Sequence, residues 1–200
     1  MLAEPYKGES SKLPLIAWLT ISGWKERWRR WLGGVKSIYT VAKCKKYIKG
    51  WSLPEFKKEA LTDYERICKM LAAGDLTGLR QVVTPAVFSD LKRELKAREA
   101  GGWHSVRWAL VERPPLKKVE VVHGRLVAIN PKDDKSAFAQ LTVRFKSQQT
   151  FAAYNAQKEL VAGQPGHALA VEDVWVFERA LGAPEARWRL AARLGLSQSD

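Results

Sequence analysis

The sequence predicts an α+β protein, on three observations. Two amphipathic helical segments come first, over residues 55–74 and 84–101. Segments rich in Val, Trp, Phe and Tyr then fill 103–129, 137–161 and 168–194, and the last of these closes on two Trp-centred runs. Helices grouped ahead of strands predict an antiparallel sheet with helices on one side of it, not alternating βαβ units.

Before the first of these helices, residues 1–22 mix Pro5, Gly8, Ser10, Ser11 and Pro14 with an apolar patch and read as an extended arm. Trp24, Trp28, Trp31, Val35 and Ile38 then recur at helical spacing and share one face, with Lys25, Arg29, Arg30 and Lys36 projecting elsewhere. Gly33-Gly34 weakens or ends that helix. Val41 to Trp51 adds Lys43, Lys45, Lys46 and Lys49. Ser52-Leu53-Pro54-Glu55 is a helix start, because a Ser side chain can cap and a Pro near the first turn loses no helical hydrogen bond.

The helix that follows places Phe56, Ala60, Tyr64, Ile67, Cys68 and Leu71 on one face and closes at Gly74. Thr84-Pro85 opens the second, with Val87, Phe88, Leu91 and Leu95 inward, and Gly101-Gly102 stops it. Turns between strands are expected at Pro114-Pro115, at Asn130 to Asp134 and at Gly163-Gln164-Pro165-Gly166. Strand alternation puts Trp188, Leu190, Ala192 and Leu194 toward the helices and Arg187, Arg189 and Arg193 on the opposite face. Arg144 and Lys146 alternate in the same way against Leu141, Val143 and Phe145 and offer a second cationic surface.

A surplus of 34 Lys+Arg over 21 Asp+Glu, a net charge of +13, points to a polyanionic partner. Residues 1–60 hold 13 basic residues against 5 acidic ones, together with five of the nine tryptophans: Trp18, Trp24, Trp28, Trp31 and Trp51. Flat rings beside cations suit base stacking, and amphipathic rings beside lysine suit a lipid interface, so composition leaves RNA and an anionic membrane both open. The candidate binding residues are Trp24, Lys25, Arg27, Trp28, Arg29, Arg30, Trp31, Lys36, Lys43, Lys45, Lys46 and Lys49, with Arg187, Arg189 and Arg193 at the far end of the chain.

Cys44 and Cys68 lack the spacing of a zinc site or a redox pair, so two reduced thiols are expected and no metal or other cofactor. Leu13 to Ile21 is broken by Pro14 and too short to span a bilayer. The N-terminus has no secretory-signal pattern, and a transit peptide already removed would leave no trace. His104, His123 and His167 stand apart from any carboxylate at catalytic spacing, and Glu172 and Asp173 point to opposite faces of a regular strand. No phosphate loop or nucleophile elbow is present, and these residues predict a protein that is not an enzyme.

The run Ala170-Val171-Glu172-Asp173-Val174-Trp175-Val176-Phe177-Glu178-Arg179, a Pro-containing turn and Arg187-Trp188-Arg189-Leu190 resemble the closing strands of the Tim44-like domain family. Phe56 to Asp75 is similar to the family's first helix, Leu79 to Leu91 to its second, and Ala139 to Phe145 to its central strand. The resemblance implies a domain over 54–200, with residues 1–53 as a basic, Trp-rich extension. It also implies a curved-sheet cone of the cystatin or nuclear-transport-factor-two type, and a structural ion pair at Glu178-Arg179.

Known members include a component of the mitochondrial large ribosomal subunit and the import-motor anchor of the inner membrane. The ribosomal role is the expected one, since a basic arm supplies phosphate contacts to a compact body. An import-motor anchor is expected to carry a longer N-terminal region than the some fifty residues ahead of this domain. A membrane-associated ribosome receptor is the third alternative. The ribosomal reading implies a mitochondrial matrix protein peripheral to the inner membrane, near the polypeptide tunnel exit. Its expected partners are large-subunit rRNA, neighbouring mitochondrial ribosomal proteins, the inner-membrane surface or a membrane insertase, and a nascent chain.

Overall fold

The computed structural model describes residues 37–128 and 136–194. The expected arm and the tryptophan-bearing helix over 24–35 lie outside these residues, as does the turn at Asn130 to Asp134. Helix α1 occupies 37–47, followed by α2 (Leu53–Ala73), α3 (Leu76–Val82) and α4 (Pro85–Ala100). Five strands follow: β1 (Ser105–Leu110), β2 (Val119–Ala128), β3 (Ala137–Tyr154), β4 (Leu160–Ala180) and β5 (Arg189–Leu194). The architecture is α+β, helices on an open antiparallel sheet, as the order of segments predicts.

Both ends of α2 and the start of α3 follow from local sequence. Ser52 caps α2 by accepting from the Glu55 backbone N–H. Gly74 ends α2 at φ 70, where the left-handed turn lets the Asp75 N–H reach the Met70 carbonyl. Asp75 then caps α3, a short helix the sequence pattern does not separate, by accepting from Gly78 N–H at 2.9 Å. Thr84 sits at the expected start of α4, but its hydroxyl caps nothing. Its backbone N–H donates to the Leu190 carbonyl at 2.9 Å instead, fastening the head of α4 to β5.

β3 organises the sheet. Its first half pairs with β2, its second half with β1, and β4 runs along its other edge for nearly the whole length. β5 then pairs with β4 over Val174 to Glu178. The β3–β4 connection differs from expectation: the turn is Asn155 to Glu159, where Asn155 Oδ1 accepts from the Glu159 N–H and Lys158 adopts φ 63. Gly163 to Gly166 instead lies within β4, at a bulge where Phe151 pairs Gln164 but Gln149 pairs Leu169. Glycine is required at 163, since at φ 78 a Cβ would sit 2.2 Å from the Phe151 carbonyl oxygen. Bulges also interrupt β2 between Val121 and His123 and the β4–β5 pair between Val176 and Phe177. Each bends its strand and turns the following side chains to the other face.

The core lies between α2 and the sheet. Tyr64 stacks on Phe145 with ring centroids 4.4 Å apart, Phe56 meets Trp188 at 4.7 Å, and Trp175 and Phe177 close the row. Full burial of such side chains stabilises by about 1.5–3 kcal/mol each, so this row is a main source of fold stability. Cys44 and Ile48, which precede the expected domain boundary at residue 53, are buried in the same core. α1 is seated there by Gly124, which leaves room for Ser37 and Thr40 and donates its N–H to Ser37 Oγ at 2.9 Å.

Candidate nucleic-acid interface and concave pocket

Of the twelve candidate residues in the basic N-terminal region, Trp24 to Lys36 lie outside the described residues. Lys43, Lys45, Lys46 and Lys49 are described. Thr40, Cys44 and Ile48 turn inward, which leaves Lys45, Lys46 and Lys49 exposed. Lys43 Nζ lies 5.1 Å above the Tyr39 ring and 5.8 Å from that of Tyr47, and Lys46 Nζ lies 5.1 Å from Tyr47. Tyr39 is exposed. One flank of α1 is therefore a row of ammonium groups and tyrosine rings, with Tyr39 exposed and Tyr47 half-buried against the core, chemistry suited to phosphate and, at Tyr39, to a base. Tyr39 and Tyr47 are absent from the sequence-derived candidates. Their signal was the spacing Tyr39, Lys43, Tyr47, which stacks three side chains on one helical face.

Two expectations for this region change. Ile38, placed on the apolar stripe, is 72% exposed. Trp51, counted among rings for stacking, packs on the core with its centroid 6.2 Å from Phe56.

The C-terminal arginines do not line one face. The bulge at the β4–β5 pair puts Leu190 opposite Phe177 on the helix side, and Ala192 opposite Val176 on the other. Arg193 falls opposite Trp175, on the helix side, and bonds Glu94 of α4. Burial pushes the Glu94 carboxyl up, but Arg193 and Arg98 outweigh it and hold it below its ordinary value. Arg187 acts electrostatically on Asp63 of α2. Arg189 pairs across from Glu178 on the outer face.

Arg144 and Lys146 form no free cationic surface either. Arg144 lies 3.4 Å from Glu120 and 3.2 Å from Glu172, and Lys146 lies 3.6 Å from Glu120. Glu178 and Arg179 form no pair with each other. Adjacent strand residues point apart, so Gln140 donates to Glu178 while Arg179 donates to the Pro184 carbonyl at 3.3 Å.

A cavity of about 570 Å³ opens on the helix side of the sheet, between α2, α4 and strands β1, β3, β4 and β5. Asp173 turns into it while Glu172 faces out toward Lys146. Tyr64 donates to Asp173 Oδ2 at 2.6 Å, and Gln149 Nε2 shares its protons among Tyr64 Oη, Ser147 Oγ and Asp173 Oδ2. Trp108 Nε1 fixes Gln149 by donating to its Oε1 at 2.6 Å. Burial and the neighbouring Asp173 raise both the Tyr64 hydroxyl and the Cys68 thiol above their ordinary values, so neither supplies a nucleophile at neutral pH. Burial likewise pushes the Cys44 thiol up to about 12. Among the described residues, no group of three or more His, Cys, Asp and Glu could hold a metal ion.

The family model of the Tim44-like domain matches residues 39–194. This chain belongs to the Tim44-like domain family. The match begins within α1 and ends at the last residue of β5, so it takes in the whole described sheet and its helices. Within the family, the chain is similar to proteins named large ribosomal subunit protein mL45. It is 29% identical to that of Drosophila melanogaster over 78% of this chain and 40% of the relative. It is 25% identical to that of Bos taurus over 90% and 55%, and 25% identical to that of Xenopus laevis over 88% and 53%. The chain thus spans about half the length of these relatives, or less. No described helix of this Tim44-like chain is long and apolar enough to cross a membrane.

Proposed function

We propose that this chain is a structural, non-enzymatic component of the mitochondrial large ribosomal subunit, located in the matrix. The observation that carries this reading is the similarity of the chain, over most of its length, to large ribosomal subunit proteins of an insect, a mammal and an amphibian. The lysine–tyrosine ladder of α1 contacts large-subunit rRNA, with the basic residues Lys25, Arg27, Arg29, Arg30 and Lys36 ahead of it adding phosphate contacts. Such contacts give affinity without reading sequence. The body of the domain rests among neighbouring ribosomal proteins near the tunnel exit and helps hold the ribosome at the inner membrane, within reach of an insertase and the nascent chain.

The test replaces Lys43, Lys45, Lys46 and Lys49 with glutamine and removes residues 1–36 in a second variant. A deletion through residue 50 is unsuitable, because it strips Cys44 and Ile48 from the core. Each variant is expressed in mitochondria and sedimented in magnesium after a high-salt rinse. The parent should travel with the large subunit and both variants should be depleted from it. For isolated RNA, losing up to four phosphate contacts should flatten the slope of log affinity against log salt by about 3. Undiminished co-sedimentation of both variants would falsify the RNA role of this region.

A further inference from the structure

The edge of β4 is open beside the cavity. β5 pairs with β4 from Val174 onward, and no described strand lies along Leu160 to Val171. These residues include no Lys, Arg, Asp or Glu, and Leu160, Val161 and Leu169 are exposed. Natural edge strands are blunted by charge, by proline or by a bulge. Pro165 and the Gly163 to Gly166 bulge blunt the first part of this edge, and Leu169 to Asp173 remains as a regularly paired stretch that ends where β5 begins to cover β4. At about 3.3 Å per residue it forms a slot of about 17 Å. The Val111 N–H donates to the Gln148 carbonyl, and the Leu181 N–H to the Ala137 carbonyl. Even-numbered residues of β3 therefore turn their backbone groups toward β1 and β2, and odd-numbered ones toward β4. Ser147 and Gln149 thus bond Val171 and Leu169, and the alternation aims the N–H and C=O of Ala170 and Glu172 out of the sheet edge, where no described strand meets them.

We propose that this slot takes an extended, uncharged segment of another protein, added to β4 as a further strand in line with β5, with its alternate apolar side chains turned into the cavity. Backbone bonds to Ala170 and Glu172 supply affinity, and the cavity supplies the choice of side chain. Val171 and Asp173 line the cavity while Glu172 faces out, so residues of the added strand opposite Val171 and Asp173 point inward with them. The charges there cancel: Arg98 and Arg193 share Glu94, the remaining guanidinium offsets Asp173, and Arg93 bonds Asp90. A charged side chain would enter this balanced set without a counter-ion, whereas an apolar one gains by leaving water. A second copy of the chain, or a basic segment, would also meet the net charge of +13. The ribosomal reading is not needed for this inference, which rests on the edge and the cavity beside it.

Fluorescence anisotropy of the full chain with a capped, dye-labelled peptide that alternates leucine and threonine tests it. With leucines toward the cavity, the threonine amides face β4 and the leucine amides face away. N-methylation of the threonine amides should therefore weaken binding about tenfold or more, and N-methylation of the leucine amides should change it little. Lysine in place of leucine should weaken binding as well. Ala170→Pro removes an N–H that no described strand uses, so the fold should persist while the peptide is lost. No binding to the parent, equal effects of the two methylations, or undiminished binding of the lysine peptide overturns the proposal. If Ala170→Pro does not fold, the two methylated peptides on the parent decide it. Sedimentation of the chain alone covers the other occupants. A dimer that Ala170→Pro dissolves gives the edge to a second copy, and peptide binding seen only after residues 195–200 are removed gives it to the chain's own tail; either result overturns the proposal.

Discussion

Replacing Trp188 separates two effects that the structure sets against each other. The side chain is 3% exposed and its ring lies 4.7 Å from that of Phe56, at the contact between α2 and the β4–β5 edge. Trp188→Ala removes the whole indole and leaves a void that α2 and β5 cannot both collapse into, because the Thr84 to Leu190 hydrogen bond ties the edge strand to α4. Truncations of this kind cost about 3–5 kcal/mol. The indole Nε1 is also buried and finds no acceptor among the described residues. An unpaired buried donor itself weighs about 1–3 kcal/mol against the fold. Trp188→Phe deletes that donor while keeping most of the ring, so it should lose less than about 1.5 kcal/mol. Urea unfolding followed by far-ultraviolet dichroism reads both. With a denaturant slope of about 2 kcal/mol/M, the alanine variant should unfold about 2 M earlier and the phenylalanine variant within about 0.7 M of the parent. Equal midpoints for parent and alanine variant, or a phenylalanine variant as weak as the alanine one, would refute this account of the core.

Asp63 contributes to the pH dependence of stability, beside the raised Glu59 and the lowered Glu94. Burial and then the neighbouring Glu59 push the Asp63 carboxyl up to about 6, against the opposing pull of Arg66 and Arg187. The unfolded chain releases that proton near pH 4, so the folded state holds more protons between about pH 4 and 6 and stability falls as pH rises through that window. Asp63→Asn should therefore be the more stable protein at pH 7.5, by about 1–2 kcal/mol, with the gain vanishing below about pH 4. A gain of equal size at both ends of a pH series of urea midpoints would exonerate Asp63. At the β4 bulge, Gly163→Ala drives a Cβ into the Phe151 carbonyl, whereas Gly166→Ala, at φ 74 with nothing within 4 Å, meets only the left-handed backbone penalty of about 1–2 kcal/mol. Amide exchange at Ala152 and Ala153 should accelerate markedly in the first variant and little in the second; matching behaviour would show that the close approach does not exist.

Local signals in this chain are legible because their physics is local. Ser52, Pro54 and Gly74 bound α2 by capping and backbone geometry within a few residues, and the apolar positions from Phe56 to Leu71 announce which face is buried. The grouping of helices before strands suffices for the fold class, and the order of Trp-bearing strands for the family. The cluster of lysines from Lys43 to Lys49 was legible too, but neither the helix α1 that carries it nor the tyrosines interleaved with those lysines were.

Tertiary structure decided what depends on counting residues across a sheet. A single bulge between Val176 and Phe177 sends Arg193 to the helix side and into Glu94, where period-two alternation puts it on the outer face. Gly163 to Gly166 has a turn's composition but lies inside β4, because the Asn155 to Glu159 hairpin already reverses the chain and the glycines absorb the misfit between paired strands. The apparent second cationic surface disappears once Glu120 and Glu172 are brought beside Arg144. The cavity has no sequence signature at all: Tyr64 and Asp173 lie 109 residues apart, and only the packing of α2 across the sheet joins them. Sequence thus determined the two main helices, the buried face of α2, the strand-rich segments after them and the sign of the chain's charge. Strand register, which a bulge of one residue inverts, determined which charges stayed free and which acid was left facing an apolar cavity.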